Sequence, residues 1–497
     1  MTVPTTGRLR LNAPLAPGDL DPVRSRAAAE IVHRMTTRTL FGYRAEPDLR
    51  DWRAVEPVGD LAEAVPSTYN AGLGASLRSY AVHLRPGVRW DTEPPRPVTA
   101  HDVVRGFARA CAPTARPAGI EFLLSSVRGM RGYRERYAEA VAGSEKDAAR
   151  HRAFRESHAI PGVFALDDAS LVIELEHPAL DALDILALPC VAPSPVEYDA
   201  VVPGDDELLR HLRATGPYRV AAMESGGGVR LEPNPAWDPA TDPLRERAFD
   251  AVTLRPDAPA AEVAPDDVVP EMLHACLLPH AGPGRPLADP ALRRRVASAV
   301  DPEVVAGAAA THLPGVRAAT RVVPPGNSGN ADTDPVGDRP VSGPPAGTTG
   351  DGAAAEGTEL VLVHPGTAAS SAVADAVAGC LERASFRVTV RGLGAAEHAD
   401  LLHGDRDLEH DLLLTDWAAR WRQHNYRTYL QPLLTRRTGR VDGPVFDDLI
   451  DEALRADSDP HATRAAWAAV EEAAMSRAAV VPLLHGPPQA ARTVPGS

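Results

Sequence analysis

The chain has 497 residues, 44% hydrophobic and 24% charged, which gives room for two or three domains of ordinary soluble composition. Its 67 acidic against 52 basic residues leave a formal net charge of −15. This argues against nucleic acid or an anionic membrane as the main partner, because neutralising phosphate requires clustered positive charge. Residues 8–11 read as an opening strand, and residues 25–40 as a helix whose apolar positions include Ala28, Ile31, Val32 and Met35. Val82, Leu84 and Val88 carry the apolar side of an extended run that Pro86-Gly87 interrupts as a turn, and Trp90-Asp91 ends it before a Pro-rich loop. Thr99 then caps a helix, with Asp102 three residues on and Val103, Val104, Phe107 and Ala108 at helical spacing.

The one lysine, Lys146, precedes Asp147, so no P-loop is present, since its lysine must precede Ser or Thr. A Schiff-base enzyme would have to use this same lysine, which lies in the polar run SEKDAARHR and reads as a solvated helix face. Residues 167–176 open with a turn and alternate like a hairpin strand, while residues 185–191 are apolar throughout. Ser225, Gly226, Gly227 and Gly228 read as a flexible hairpin tip between Val220 and Val229, not as a phosphate loop.

Residues 323–358 hold 14 Gly or Pro and no aromatic, which predicts a disordered surface insert. Beyond it, a strand at 360–364, a helix at 368–384 and a strand at 386–390 form a βαβ unit, hence a parallel pair with a right-handed crossover. Asp447, Asp448, Asp451 and Glu452 lie on the polar side of a helix whose other side carries Phe446, Leu449, Ile450, Ala453 and Leu454, a solvated face and not a metal site. Cys111, Cys190, Cys276 and Cys380 are far apart in apolar surroundings, so buried free thiols are expected, no zinc site is suggested, and the redox compartment stays open. The first 17 residues lack an apolar core of signal-peptide length and no cysteine precedes Cys111, so neither a leader nor a lipid-anchor cysteine is expected in this chain. No segment approaches the roughly 20 apolar residues of a membrane span.

The stretch HLRPGVRWDTEPPRPVTAHDVVRGFARA at 83–110, and TGPYRV at 215–220 followed by LEPNPAWDP at 231–239, resemble the signatures of the family 5 extracellular solute-binding proteins, the oligopeptide- and dipeptide-binding components of ABC importers. Leu84, Arg85, Gly87, Val88, Trp90, Pro97, Val98, Thr99, Ala100, Asp102 and Val103 match the first signature. LADPALRRRVASAVD at 287–301, LLLTDWAARW at 412–421, FDDLIDEAL and VVPLLH extend the similarity over nearly the whole chain.

The resemblance implies an α/β, two-lobed periplasmic-binding-protein-like fold (type II, cluster C like), with an inserted subdomain and a ligand cleft enclosed at the hinge. On that pattern residues 1–45, 159–285 and 477–497 form the first lobe, 46–158 the inserted subdomain, and 286–476 the second lobe with its insert at 323–358. Phe41-Gly42-Tyr43 resembles the family's exit from the first lobe, residues 257–287 look shorter than in relatives, and the low-complexity insert replaces a helix. The implied function is non-catalytic: capture of a peptide or peptide-like small molecule for ABC permease subunits, by an extracytoplasmic monomer without cofactor or metal. Neither HExxH nor GxSxG occurs. The absent leader motivates the alternative of a cytoplasmic sensor, or a repurposed enzyme or scaffold, on the same fold.

The candidate ligand-binding residues are Trp417, Arg420, Trp421, His424, Asn425 and Tyr426. Peptide-binding relatives carry a Trp here, followed three residues later by an Asp that pairs with the ligand's α-ammonium group. Trp417 matches the aromatic, but Arg420 stands at the acid's position, and arginine prefers carboxylate or phosphate. The ligand's amino end is then blocked, absent or read differently. On the alternative reading, Trp417 and Trp421 are core aromatics and Arg420 is a surface charge. His424, Asn425 and Tyr426 fall in a polar, looped stretch that suits pocket groups, although a lone histidine is more often a structural hydrogen bonder.

Overall fold

The computed structural model describes residues 8–12, 17–24, 29–46, 51–224, 227–255, 271–328, 357–402, 408–435, 439–456, 459–487 and 493–495. The chain divides into two compact units, residues 1–267 with 490–497, and residues 268–489.

The first unit opens with β1 (Arg8–Asn12), α1 (Glu30–Thr36), β2 (Phe41–Gly42) and β3 (Val58–Gly59). It continues through β4 (Ser79–His83), α2 (Ala100–Ala110), α3 (Ile120–Ser126), α4 (Met130–Val141), α5 (Ala148–Ser157), β5 (Val163–Ala165) and β6 (Ser170–Glu174). After α6 (Ala182–Leu186) come β7 (Tyr218–Glu224), β8 (Gly228–Pro233) and β9 (Ala251–Arg255). Strands β4, β6 and β5 form an antiparallel sheet in that order, and its register pairs Tyr80 with Ile173 and Val82 with Leu171, all four buried on one face by the two-residue alternation. The apolar run at 185–191 is divided between α6 and a 3-10 turn at Pro189–Val191.

The recognised motifs are joints of this unit. The Trp90 indole N–H donates to Asp102 Oδ2 at 3.0 Å, and the same oxygen accepts the Thr99 backbone N–H at 3.0 Å, so one carboxylate holds Trp90, in the loop beyond the end of β4 at His83, to the start of α2. Arg96 and Arg105 complete the surroundings of Asp102. The expected helix over 25–40 is shorter where it is described: α1 ends at Thr36, whose carbonyl accepts the Thr215 and Gly216 N–H groups. Gly216 is required there because a Cβ would lie 2.5 Å from the Met35 carbonyl oxygen. Of the expected hairpin tip, Ser225 and Gly226 lie outside the described residues.

The second unit runs β10 (Met272–Pro279), α7 (Pro290–Ala299), α8 (Pro302–Ala309), β11 (Arg317–Ala318), β12 (Glu359–Pro365), α9 (Ala368–Arg383), β13 (Arg387–Leu393) and α10 (Ala395–Leu402). Then come β14 (Leu412–Trp417), α11 (Tyr426–Thr435), α12 (Gly443–Arg455), α13 (Pro460–Ser476) and β15 (Val481–Gly486). Asp-Pro starts α7, α8 and α13, with Asp289, Asp301 and Asp459 each accepting an N–H of the first turn and proline taking a position that needs no donor.

The sheet order is β11-β15-β10-β14-β12-β13. Leu273, Leu278, Val363 and Leu413 face one core with α11, α12 and α13, while Ala275, Leu277, Leu362 and Leu414 face a second core with α7, α8 and α9. A sheet buried on both faces explains why LLLT and LVLV read as unbroken apolar runs. The parallel β12 and β13 with α9 between them bear out the βαβ reading. The expected lobe boundaries at 286 and 476 leave β10 and β15 outside this unit, whereas both are hydrogen-bonded into its sheet.

Part of the expected insert at 323–358 is packed into this unit. Glu471 accepts the Val322 and Val323 N–H groups and pairs with Arg321, Val323 is buried, and Asn327 is 2% exposed, while 329–356 lie outside the described residues. The last described element, β16 (Thr493–Pro495), pairs antiparallel with β1 in the first unit's sheet, β16-β1-β9-β8-β7.

Candidate functional site

In the second unit, β12 leads through α9 to β13 on one side, and the chain then returns to place β14 on the other side of β12. The strand order therefore reverses between β12 and β14. In open α/β sheets, the crevice beyond the carboxyl ends of strands at such a reversal is where ligands bind. Only Leu362 with Leu412 and Val363 with Leu413 are in register between β12 and β14, and past these pairs the two strands part.

A cavity of about 310 Å³ opens at this place, lined at the end of β12 by Pro365, Thr367 and Ser370, at the end of β14 by Thr415 and Asp416, and at the start of β10 by Met272 and His274. Its volume is at the lower end of the range for small-ligand sites.

Each wall has a local cause. The β12 to α9 turn is tight at Gly366, where a Cβ would meet the Leu393 carbonyl oxygen at 2.9 Å. Thr367 and Ser370 then cap α9 reciprocally, each side-chain oxygen accepting the other's backbone N–H at 3.2 Å. His274 Nε2 lies 2.7 Å from the Pro487 carbonyl, which can only accept, so Nε2 carries a proton and donates it there. Behind β14, His398 Nε2 donates to the Leu414 carbonyl at 2.9 Å, and burial pushes the His398 pKa down, keeping the ring neutral. Thr415 is buried and its hydroxyl donates to the Asp416 carbonyl at 3.2 Å. Asp416 is the exposed residue of β14, whose other five residues are buried.

None of the six candidates from the sequence lines this cavity. Trp417 is 8% exposed, belongs to the core cluster with Leu413 and Tyr426, and donates its indole N–H to the Thr428 carbonyl at 2.6 Å. Trp421 is buried, and Tyr426 is buried with its ring 5.9 Å from that of Trp467. Asn425 is fully buried: its amide donates to Asn327 Oδ1 at 2.6 Å and accepts from the Ser328 N–H at 3.0 Å, which ties α11 to the segment at 324–328. Arg420 is half-buried and already has an interaction partner. His424, also half-buried, holds a left-handed φ of 48° at the turn into α11.

The structure thus brings Trp417 and Tyr426 together in the core, whereas the cavity's polar groups come from β10, the β12 to α9 turn and Asp416. Asp416 carries the one signal the sequence held, a carboxylate in an otherwise apolar strand. His274, Thr367 and Ser370 carry none, since only the sheet order brings them to it.

Among the described residues no group of three or more His, Cys, Asp or Glu side chains is arranged to hold a metal ion, and no helix is long and apolar enough to cross a membrane. All four cysteines are free and buried, as expected from their apolar surroundings.

Residues 56–265 match the family model described as bacterial extracellular solute-binding proteins, family 5, middle part. No curated protein sequence matches the chain. Among solved structures, the chain is similar to a clavulanic acid biosynthesis oligopeptide binding protein 2, with 25% identity, TM-score 0.70 and coverage of 97% of this chain and 92% of that one. It is also similar to the Escherichia coli murein tripeptide binding protein MppA, with 17% identity, TM-score 0.71 and coverage of 99% and 94%. A third similar structure is Haemophilus influenzae OppA in complex with the peptide RPPGFSPFR, with 14% identity, TM-score 0.68 and coverage of 98% and 94%. The resemblance read from the motifs is borne out, and the fold is that of the two-lobed periplasmic binding proteins.

Proposed function

We propose that this chain, built on the fold of the family 5 solute-binding proteins, is a non-catalytic receptor that captures a peptide or peptide-like small molecule and delivers it to the permease of an ABC importer. The observation that carries this reading is the cavity at the strand-order reversal of the second unit, lined by Met272, His274, Thr367, Ser370, Thr415 and Asp416. A crevice of this volume at the carboxyl ends of β12 and β14 suits a small organic group better than a macromolecular surface. The resemblance to oligopeptide- and murein tripeptide-binding proteins makes peptide the first ligand class to test. Work at the cell surface or in the periplasm, as a monomer, belongs to the same proposal.

Native mass spectrometry of the purified protein, followed by calorimetry against short peptides of mixed composition, tests it. The expected result is a co-purified or added peptide-like ligand bound in a one-to-one complex and recovered chemically unchanged. Turnover of the bound peptide, or failure of every peptide to bind, would remove the reading.

A further inference from the structure

We propose that the cavity of the second unit receives a cationic group of the ligand, an ammonium or a guanidinium, against the carboxylate of Asp416. The inference deepens the peptide-receptor reading and rests on it for the kind of molecule that brings the cation.

The cavity's hydrogen-bonding inventory carries the argument. Its lining contains one carboxylate, Asp416, and neither arginine nor lysine. The Thr415 hydroxyl proton is committed to the Asp416 carbonyl. Ser370 Oγ donates to the Pro365 carbonyl, and Thr367 Oγ1 and Ser370 Oγ share a hydrogen bond at 2.7 Å within the α9 cap. His274 directs its Nε2 proton to Pro487. The hydroxyl protons and the His274 Nε2 proton are therefore used, and the charged group left for a ligand is an acceptor, the carboxylate of Asp416.

Asp416 makes no ion pair with any described residue, and its side chain is exposed at the end of a strand whose other residues are buried. A ligand that donates and carries positive charge satisfies the Asp416 carboxylate with a charge-assisted hydrogen bond. The N-terminus of α9 favours negative charge, but its first turn already spends the Thr367 and Ser370 side chains on its own cap. The space, about that of ten liquid waters, accommodates one long side chain or a terminal amine.

The position matters because Arg420, and not an acid, stands three residues after Trp417. Arg420 lies outside the cavity lining and Asp416 within it, so the charge preference of this site is set by the residue before the tryptophan.

The test uses Asp416→Asn, which keeps the shape of an exposed side chain, and Asp416→Glu, which keeps the charge. Probes are tetra-alanine, N-acetyl-tetra-alanine, and N-acetylated tetrapeptides with one alanine replaced by lysine or arginine, together with agmatine as a cation without a peptide bond. Calorimetry of wild type is expected to give about tenfold tighter binding of the cation-bearing peptides than of N-acetyl-tetra-alanine. The preference should weaken with added salt, vanish in Asp416→Asn and persist in Asp416→Glu. The lysine and arginine arms separate ammonium from guanidinium. Equal affinities across the charge series in wild type, or a preference that survives in Asp416→Asn, overturn the inference. If no peptide binds, the receptor reading falls by itself. Agmatine bound by wild type and not by Asp416→Asn then sustains the cation site, and agmatine bound by neither overturns it.

Discussion

Replacing Asp102 by alanine tests whether the family-like motif at 83–110 is a structural joint. Asp102 is 2% exposed and accepts from the Trp90 indole and the Thr99 backbone at 3.0 Å each, and from Arg96 and Arg105 at 3.0 and 3.1 Å. Losing the reciprocal cap of α2 costs about 1 kcal/mol. Trp90 is 1% exposed, so its orphaned indole N–H adds about 1–3 kcal/mol. The two arginines add little, because their side chains are 29% and 24% exposed and they keep Glu197 and Asp199 as partners. Because Trp90 and Thr99 share one oxygen, the terms do not simply add, and a total of about 3 kcal/mol is expected. For a unit of this size that lowers the melting temperature by about 6–10 °C. Asp102→Asn keeps an acceptor oxygen and should lose about half as much. Scanning calorimetry of the variants beside wild type measures both. A loss under about 1 kcal/mol for Asp102→Ala would refute the assignment of Asp102 as the joint.

Five further outcomes follow from buried groups and from the insert. Burial pushes the Asp184 carboxyl, which accepts the Tyr43 hydroxyl, up to about 8, so the native state holds a proton that the unfolded chain releases near pH 4, and stability falls as pH rises between these values. The melting temperature of the first unit should therefore drop from pH 6.5 to pH 8, and Asp184→Asn should flatten that slope; a slope that persists in the variant would exclude Asp184 as its source. Burial likewise takes His485, whose Nε2 donates to the Arg321 carbonyl, down to about 4, so in the second unit stability is full above pH 6.5 and is lost as pH falls toward 4, which a titration of His485→Gln should show by its smaller acid slope. The four buried thiols, with Cys111 pushed up to about 12 by burial, should resist a maleimide at neutral pH and take up four equivalents after denaturation; rapid native labelling would contradict their burial. Deleting residues 329–356 should leave the melting temperature nearly unchanged, whereas Asn425→Ala, which removes the bonds to Asn327 and Ser328, should cost about 2 kcal/mol by thermal denaturation.

Local patterns in the sequence foretold the secondary elements where the relevant forces are local. The Thr99 and Asp102 spacing and the apolar run of β12 each act within a few residues and were readable as such. The end of α1 was not readable, because the groups that take up the Thr36 carbonyl come from Thr215 and Gly216, some 180 residues away. The same distinction explains the site. Trp417 drew attention because it matches the tryptophan that peptide-binding relatives carry at this place, yet the alternation of β14 turns it toward the helices α11 to α13, where Thr428 takes its indole N–H. That alternation puts Asp416 on the opposite face from Trp417, where Leu414 packs toward α9. A single step along the strand therefore exchanges a core aromatic for an exposed carboxylate. Whether such a carboxylate is a ligand group or a solvated charge depends on what the neighbouring strand brings beside it. Here the parting of β12 from β14 after Leu413 leaves Asp416 beside a capped turn whose hydroxyls have no protons to spare, and a positively charged donor is the partner this arrangement lacks.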